Sequence, residues 1–221
     1  EQHNTALLYH LSLELAANLN EENVAHRALQ AATEAVGVQR GNILTFEEDG
    51  ERLRLLAVTG YDRETVDSLN QRLSWTASRG VTGRVVRTRA ATIVPNVSQD
   101  ADWIPISGLD DWAQSILSVP LVAGNRVVGV LNLLSEQPDF FKIENLSLIS
   151  AFASPVALSL QNAGLYESLR QRLAELEILA NTSSALRKAQ SYADIPPILL
   201  TKAVEGLNAN AGVLLLLENG E

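Results

Sequence analysis

Residues 115–134, with the sequence SILSVPLVAGNRVVGVLNLL, decide the fold class of this chain. They contain two apolar runs, at 115–122 and 126–134, which are separated only by Ala123-Gly124-Asn125. A short glycine-containing segment between two apolar runs is typical of a tight turn that joins antiparallel strands. The stretch therefore predicts a β-hairpin.

Two further strand segments and several helices surround this hairpin. Residues 38–46 and 53–58 flank an acidic turn that contains Gly50, and they predict a second hairpin. Leucines at helical spacing predict a helix over 4–19, and a second helix is predicted from Glu21 to a glycine cap at Gly37.

The order of these elements predicts an α+β fold. Two helices precede the first hairpin, an irregular middle at 60–114 precedes the second, and helical spacing returns after Pro138 and predicts a long helix over 143–190. This order suits an antiparallel sheet with helices packed on one face, followed by a long connecting helix. Loops of the irregular middle would cover the other face, so we expect a pocket between sheet and loops.

Composition excludes several classes of function. The 221 residues include no Cys and no Met, and the net charge is −9. Without Cys there is no disulfide, thiolate metal site, nucleophilic thiol or thioether link to a cofactor. The acidic balance argues against nucleic acid or an anionic membrane surface as a partner. No signal peptide and no uninterrupted apolar stretch of about 20 residues is visible, so we expect a cytoplasmic chain that does not span a membrane.

The long helix carries a heptad pattern beyond the point where a single domain core should end. Its apolar and small residues alternate in steps of three and four: Tyr166, Leu169, Leu173, Leu176, Ala180 and Ser183. One interpretation is a homodimer formed through this helix and the N-terminal helix at 4–19. The alternative is a helix that packs on its own sheet and then connects to the next unit.

The end of the chain resembles its beginning. EAVGVQRGNILTFEEDGE at 34–51 and VEGLNANAGVLLLLENGE at 204–221 both combine a helix end, a strand-like run and an acidic glycine turn, 170 residues apart. The interpretation is a domain at 1–160, a connecting helix with coiled-coil spacing at 161–188, and a truncated second copy at 189–221, with a strand at 211–217. Chance similarity of two helix–strand units is the alternative. The absence of Met agrees with a piece excised from a longer protein.

Four motifs in the chain resemble those of a known family. They are the glycine-led segment 80–85 with VPNV at 94–97, then VPLV and NRVVGVLNL at 119–133, then FKIEN at 141–145, and finally VALSLQNAGLYE at 156–167. In this order they are similar to the motifs of GAF domains, over about residues 5–168. The resemblance implies a GAF/PAS-like sheet. It also implies a small-molecule sensor or dimerisation module of a signalling protein, in tandem copies, with an effector domain elsewhere.

Several branches of that family do not fit this sequence. Without Cys, the resemblance does not extend to the methionine sulfoxide reductases or to domains that hold a bilin covalently. His3, His10 and His26 all lie on the first two predicted helices, which argues against a catalytic His, a pocket ligand for haem and a metal site. Where cyclic-nucleotide binders carry Asp-Glu after Phe141, this chain has Asn145-Leu146. We therefore predict no cofactor, no metal and no catalytic residues.

The irregular middle supplies the candidate ligand-binding residues. All three tryptophans fall in it, and their flat apolar faces with one N–H donor suit planar or apolar ligands. Polar residues close to them in sequence complete the set: Trp75, Arg79, Trp103, Asp110, Trp112, Ser115 and Ser118. The alternative is that the tryptophans fill a loop-rich core. The predicted function is a non-catalytic sensory and dimerisation module for an unidentified small molecule. The alternative is a purely structural dimerisation or spacer module.

Overall fold

The protein is described from a computed structural model, which covers residues 19–47, 50–61, 75–76, 79–105, 110–187, 191, 194–206 and 210–215. The predicted helix at 4–19 lies outside the described residues. The chain divides into two compact units, Glu1–Leu165 and Tyr166–Glu221, and each is described by itself.

The first unit contains both predicted hairpins and the helices around them. In chain order its elements are α1 (Glu21–Val36), β1 (Arg40–Phe46), β2 (Arg52–Thr59), β3 (Trp75–Thr76), α2 (Gly80–Thr88), β4 (Thr92–Val94), a 3₁₀ turn (Val97–Gln99), β5 (Ser115–Ala123), β6 (Arg126–Ser135) and the start of α3 (Ile143–Arg187). Within the described ranges six strands form one sheet in the order β3-β2-β1-β6-β5-β4, and every neighbouring pair is antiparallel. The predicted fold class is confirmed.

Local signals explain where α1 begins and ends. The side chain of Asn20 accepts a hydrogen bond from the Asn23 backbone N–H at 2.9 Å, which satisfies one of the orphan donors of the first turn. At the other end Gly37 adopts a left-handed conformation with φ of 80°, and its N–H donates to the carbonyl of Thr33. The predicted boundaries of this helix are therefore confirmed.

The sheet buries one face against α1 and the first part of α3. Side chains of a strand point alternately to opposite faces, so the alternate residues Leu117, Val119 and Leu121 share a face. They belong to the main core together with β1, β6 and the helices, whose fully buried members include Leu29, Ile43, Leu131, Leu133, Ile149 and Leu160.

The opposite face of the sheet, called here the pocket face, is covered by α2 and by residues 95–105 and 110–114. Ile116 and Leu134 on this face pack with Val81 of α2, Val94 and Val97. One short helix thus lies on the side that the sequence assigned to loops. Towards the β1–β2 turn, Leu44 and Leu53 form a smaller apolar cluster.

The second unit contains the rest of α3 and one more helix, α4 (Ile195–Gly206). The predicted strand at 211–217 is wrong for residues 211–215, which form no regular secondary structure. The physical reason is pairing, since β1 lies between β2 and β6. Residues 211–215 pair with no strand among the described residues.

Among the described residues one helix, α3, is long and apolar enough to cross a membrane by length and composition alone. That criterion is also met by helices that pack on a protein core, as the first part of α3 does with Ile149, Phe152 and Leu160. The absence of a membrane span stays a prediction.

Gly60, just after β2, provides a direct test of the sheet geometry. Its φ is 84°, and an added Cβ would overlap Cγ of Arg40 and lie 2.5 Å from the Gln39 carbonyl oxygen. Gly124 has a similar φ of 61° with nothing within 4 Å of an added Cβ. We expect Gly124→Ala to lower the free energy of unfolding by about 1 kcal/mol through the backbone term alone. Gly60→Ala should cost roughly 1–3 kcal/mol more, because it adds overpacking. Equal losses in urea denaturation would contradict the close approach of Gly60 to β1.

Candidate functional site

A row of polar side chains crosses the centre of the pocket face. Asn42 on β1 is directly opposite Asn132 on β6, and Asn132 is directly opposite Ser118 on β5. The neighbouring rows are apolar, with Leu134 and Ile116 on one side and Leu44 and Val130 on the other. Ser118 and Asn132 are 0% and 2% exposed. We call Asn42, Asn132 and Ser118, with Thr82 of α2 above them, the polar row.

The hydrogen bonds of the polar row pass from Ser118 through Asn132 to Asn42, and each residue donates to the next. The Ser118 hydroxyl donates to Oδ1 of Asn132 at 2.6 Å. Nδ2 of Asn132 donates to Oδ1 of Asn42 at 2.9 Å and to the Thr82 hydroxyl at 3.3 Å. Every polar atom of the Asn132 side chain is thereby used, which offsets the cost of burying it. The chain of bonds ends at Asn42, whose Oδ1 accepts from Asn132 and whose amide nitrogen has no partner among the described residues.

Arg40, two residues before Asn42 on the same face of β1, is held by aromatic rings. Its guanidinium carbon lies 4.1 Å from the ring centroid of Trp112 and 5.7 Å from that of Tyr61. These are cation–π distances, and the planar guanidinium also stacks well on indole. Its ion pair with Glu136 spans 3.5 Å, and the Glu136 side chain is 70% exposed, so solvent screens that interaction strongly.

Tyr61 and Asp110 determine the electrostatic environment at the end of the site where Arg40 lies. Asp110 is 8% exposed, so its carboxyl group lies inside the protein. Burial, with a contribution from the Asp110 charge, raises the pKa of Tyr61 to about 12, although Arg40 works in the opposite direction. Tyr61 is therefore a neutral phenol across the physiological pH range.

Ion pairs from Arg84 of α2 to Asp100 and Asp102 hold the covering segment in place, and we call these contacts the Arg84 clamp. Arg84 donates to both carboxylate oxygens of Asp100 at 2.8 and 3.1 Å and to Asp102 at 3.0 Å. The hydrogen bonds from Arg84 hold the pKa of Asp100 below its usual value, and Asp100 in turn raises the pKa of Arg84. The clamp fixes residues 100–102 against the helix that completes the polar row.

The structure brings some of the sequence-predicted site residues together and not others. Ser118 lies in the polar row, and Trp103 and Trp112 pack beside the apolar cluster on the same face. Ser115 lies on the opposite face of β5 from Ser118. Its hydroxyl donates to the carbonyl of Gln137 at 2.7 Å, which connects the start of β5 to the residues after β6. Arg79 is exposed at the N-cap of α2. The backbone of Trp75 pairs with Leu53, and its side chain lies outside the described residues.

Five residues of the site were missed by the sequence reasoning: Arg40, Asn42, Tyr61, Thr82 and Asn132. Asn132 interrupts the apolar run of β6, and this interruption is the signal that could have found it. Arg40 and Tyr61 carry no comparable local signal, because their meeting with Trp112 depends on the approach of three separate segments.

No group of His, Asp or Glu among the described residues could hold a metal ion. His26, the one histidine in the described part of the chain, is exposed on α1 and thus belongs to the helices on the other side of the sheet.

This architecture is similar to that of known proteins. A family profile described as GAF domain matches residues 18–161. The Nif-specific regulatory protein of Azospirillum lipoferum is 28% identical over 130 residues, which is 57% of this chain and 20% of that protein. The chain thus spans a fifth of the length of this curated relative.

Solved structures share the fold. The GAF domain of an Acinetobacter phosphoenolpyruvate-protein phosphotransferase has a TM-score of 0.63 at 21% identity, covering 74% of this chain and 95% of that one. The free methionine-R-sulfoxide reductase of Neisseria meningitidis has a TM-score of 0.59 at 19% identity, covering 72% and 89%. At these identities the likeness concerns the fold alone.

The Arg84 clamp makes stability depend on pH in a defined direction. We expect Arg84→Gln to lower the free energy of unfolding at pH 7 by roughly 1–3 kcal/mol, because it removes charged hydrogen bonds that are partly shielded from water. The folded pKa of Asp100 lies below 3.8, so its contribution is present above that pH and is lost as the pH falls through the folded value. The difference between wild type and Arg84→Gln should therefore narrow between about pH 5 and pH 3.

The matched control for the clamp is Arg126→Gln, which changes an exposed arginine at the start of β6. Its effect on stability should be small and independent of pH in the same range. A gap between wild type and Arg84→Gln that stays constant down to pH 3 would contradict the role assigned to Asp100.

Proposed function

Since this chain belongs to the GAF domain family, we propose that its first domain, residues 1–160, is a non-catalytic sensory module of a signal-transduction protein. It binds a small molecule on the pocket face, between the sheet and the segments that cover it. Ligand binding shifts the packing of helices across a homodimer, and the long helix relays that shift.

The observation that carries the proposal is the polar row at the centre of a buried sheet face. A scaffold needs only apolar side chains between a sheet and its cover, and each buried polar group costs free energy unless it is fully paired. The candidate residues Ser118, Trp103, Trp112 and Asp110 lie in or beside this region. All seven candidate residues, Trp75, Arg79 and Ser115 among them, stay predictions as ligand contacts.

The absence of catalysis is proposed from chemistry. The reductases that share the fold are named for the reduction of a sulfoxide, and such a reaction needs an electron donor. Because the sequence contains no Cys, it has no thiol to supply those electrons. No cofactor is proposed.

The homodimer is proposed through the heptad residues of α3 in the second unit, together with the N-terminal helix. Leu169, Leu173 and Leu176 are 57%, 58% and 61% exposed, and a row of exposed leucines is a surface that needs a cover. Arg172 and Glu177 flank this row. In a parallel, in-register pair of helices, Arg172 of one copy meets Glu177 of the second, which favours that orientation.

The tail at 189–221 is proposed to be the start of a second GAF copy. The helix α4 ends at Gly206, 170 residues after α1 ends at Val36, so the two helix ends coincide at the offset of the sequence repeat.

The remaining proposals are a cytoplasmic location, an effector domain elsewhere in the protein, and no nucleic-acid or membrane partner. The acidic net charge of −9 supports the absence of a nucleic-acid or anionic-membrane partner.

The second candidate function is a dimerisation spacer without a ligand. The observation in its favour is that the tryptophans Trp103 and Trp112 pack on apolar residues of the pocket face, as core residues do.

Mass spectrometry of gently purified protein separates these two functions. We expect one small molecule to remain bound under native conditions and to be released on denaturation. Asn132→Leu should abolish its retention, since leucine keeps the branched shape of the asparagine side chain and removes the centre of the polar row. Asn162→Leu, at an exposed position of α3, is the control and should retain the molecule. Absence of any bound molecule, with no fluorescence change of Trp103 and Trp112 in a metabolite screen, would favour the spacer.

The dimer has its own test by analytical ultracentrifugation. We expect Leu169→Lys with Leu176→Lys to weaken dimerisation at least tenfold, because two charges would be buried at the seam. Ala174→Lys, exposed and outside the heptad row, should leave it unchanged. Arg172→Glu should weaken the dimer and Glu177→Arg in the same chain should restore it. A monomeric wild-type chain, or no rescue by the charge swap, would contradict the proposed seam.

A further inference from the structure

We infer that Arg40 and Asn42, neighbours on the pocket face of β1, bind the carboxylate group of a small organic ligand. The inference rests on the proposed sensory function and names the ligand chemistry that the site accepts. Neither residue belongs to the set that the sequence singled out.

The first observation is that Arg40 has hydrogen-bond donors to spare. Its guanidinium presents five N–H groups in a planar fork. Within the described part of the chain its contacts are the rings of Trp112 and Tyr61 and the exposed ion pair with Glu136. The rings fix the position of the fork by stacking on its faces, and Glu136 approaches only Nη1, so the other N–H groups meet no acceptor among the described residues. A guanidinium group that is held in position and has free N–H groups matches a carboxylate in shape as well as in charge.

The second observation is the direction of the polar row. Since Oδ1 of Asn42 accepts from Asn132, the other side-chain atom of Asn42 must be the nitrogen that carries two N–H donors. No acceptor among the described residues meets those donors. Asn132 is oriented in turn by the Ser118 hydroxyl at 2.6 Å. The buried row therefore orients Asn42 and presents donors, not acceptors, at its partly exposed end.

The two donor groups lie close enough to serve one ligand. Arg40 and Asn42 are two residues apart on one strand, so they share a face and their Cα atoms are about 7 Å apart. Leu44 and Val130 continue the same face beyond Asn42, and both are fully buried. The half-buried rings of Tyr61 and Trp112 beside Arg40 are the apolar surface that remains accessible to the body of the ligand. A donor pair next to an accessible apolar surface suits an organic acid.

Charge favours a monoanion over a phosphate. Arg40 supplies one positive charge, and the buried carboxyl group of Asp110 adds a negative charge that acts on Tyr61 of the same aromatic cluster. A doubly charged phosphate would meet that negative field with a single cation to balance it. A carboxylate brings one charge and two acceptor oxygens, which the fork and the amide can both satisfy.

The experiment titrates the full chain with sodium benzoate, an organic monocarboxylate with an apolar body. Benzamide serves as the neutral isostere and inorganic phosphate as the competing anion. We expect benzoate to shift the ¹H–¹⁵N resonances of the Arg40 guanidinium and the Asn42 side-chain amide, and benzamide and phosphate to leave them in place. Equal shifts with benzamide, or displacement of benzoate by phosphate, would overturn the assignment to a carboxylate.

Variants locate the site. Arg40→Gln and Asn42→Asp should each raise the Kd for benzoate at least tenfold, the first by removing the charge and fork and the second by replacing donors with a like charge. Arg40→Lys should restore only part of the affinity, because the ammonium keeps the charge and loses the fork. Arg126→Gln is the matched control and should bind as wild type does. Unchanged binding by Arg40→Gln would overturn the inference.

Failure of the carboxylate site can be distinguished from failure of the proposed sensory function. If benzoate fails to bind and the native mass spectrum still shows a retained neutral or cationic molecule, the sensory function stands and the carboxylate site is wrong. If neither benzoate nor any native molecule binds, both proposals fail and the spacer function remains.

Discussion

The antiparallel pairing of β6 with β1 on one side and β5 on the other is the constraint on which the rest of the structure depends. It sets the register that places Leu131 and Leu133 under the helices and Asn132 on the opposite face. A slip of one residue would exchange these faces and put an asparagine into the apolar core. The pairing also leaves no room for a side chain at Gly129, where an added Cβ would collide with the backbone of Leu44.

The two faces of the sheet have different physical character. The face under α1 and α3 is an apolar core of ordinary composition, and it accounts for most of the fully buried large side chains. The pocket face is covered by a helix of nine residues and an irregular segment held by the Arg84 clamp. A cover attached by ion pairs and a small apolar cluster is easier to rearrange than a helix buried along its length, which suits the proposed exchange of a ligand on this face.

Patterns of local sequence predicted much of the fold. The hairpins followed from apolar runs flanking glycine turns, and α1 followed from its acidic start and its glycine cap, because these signals act between residues close in the chain. The strand at 211–217 failed for a related reason, since an apolar run is compatible with a strand but pairing partners decide whether one forms. In the site, clustering in sequence led to Ser118, Trp103 and Trp112 and passed over Arg40, Asn42 and Asn132.

The sequence by itself determined the fold class, the family motifs and the absence of thiol chemistry, because each depends on residue types and short spacings. Only the tertiary structure decided that Asn42, Asn132 and Ser118 form one continuous row, and that Arg40 stacks on Trp112. These meetings join residues as many as 90 positions apart, as Asn42 and Asn132 are. Strand register and loop approach bring such residues together, and both are set by the packing of the whole sheet.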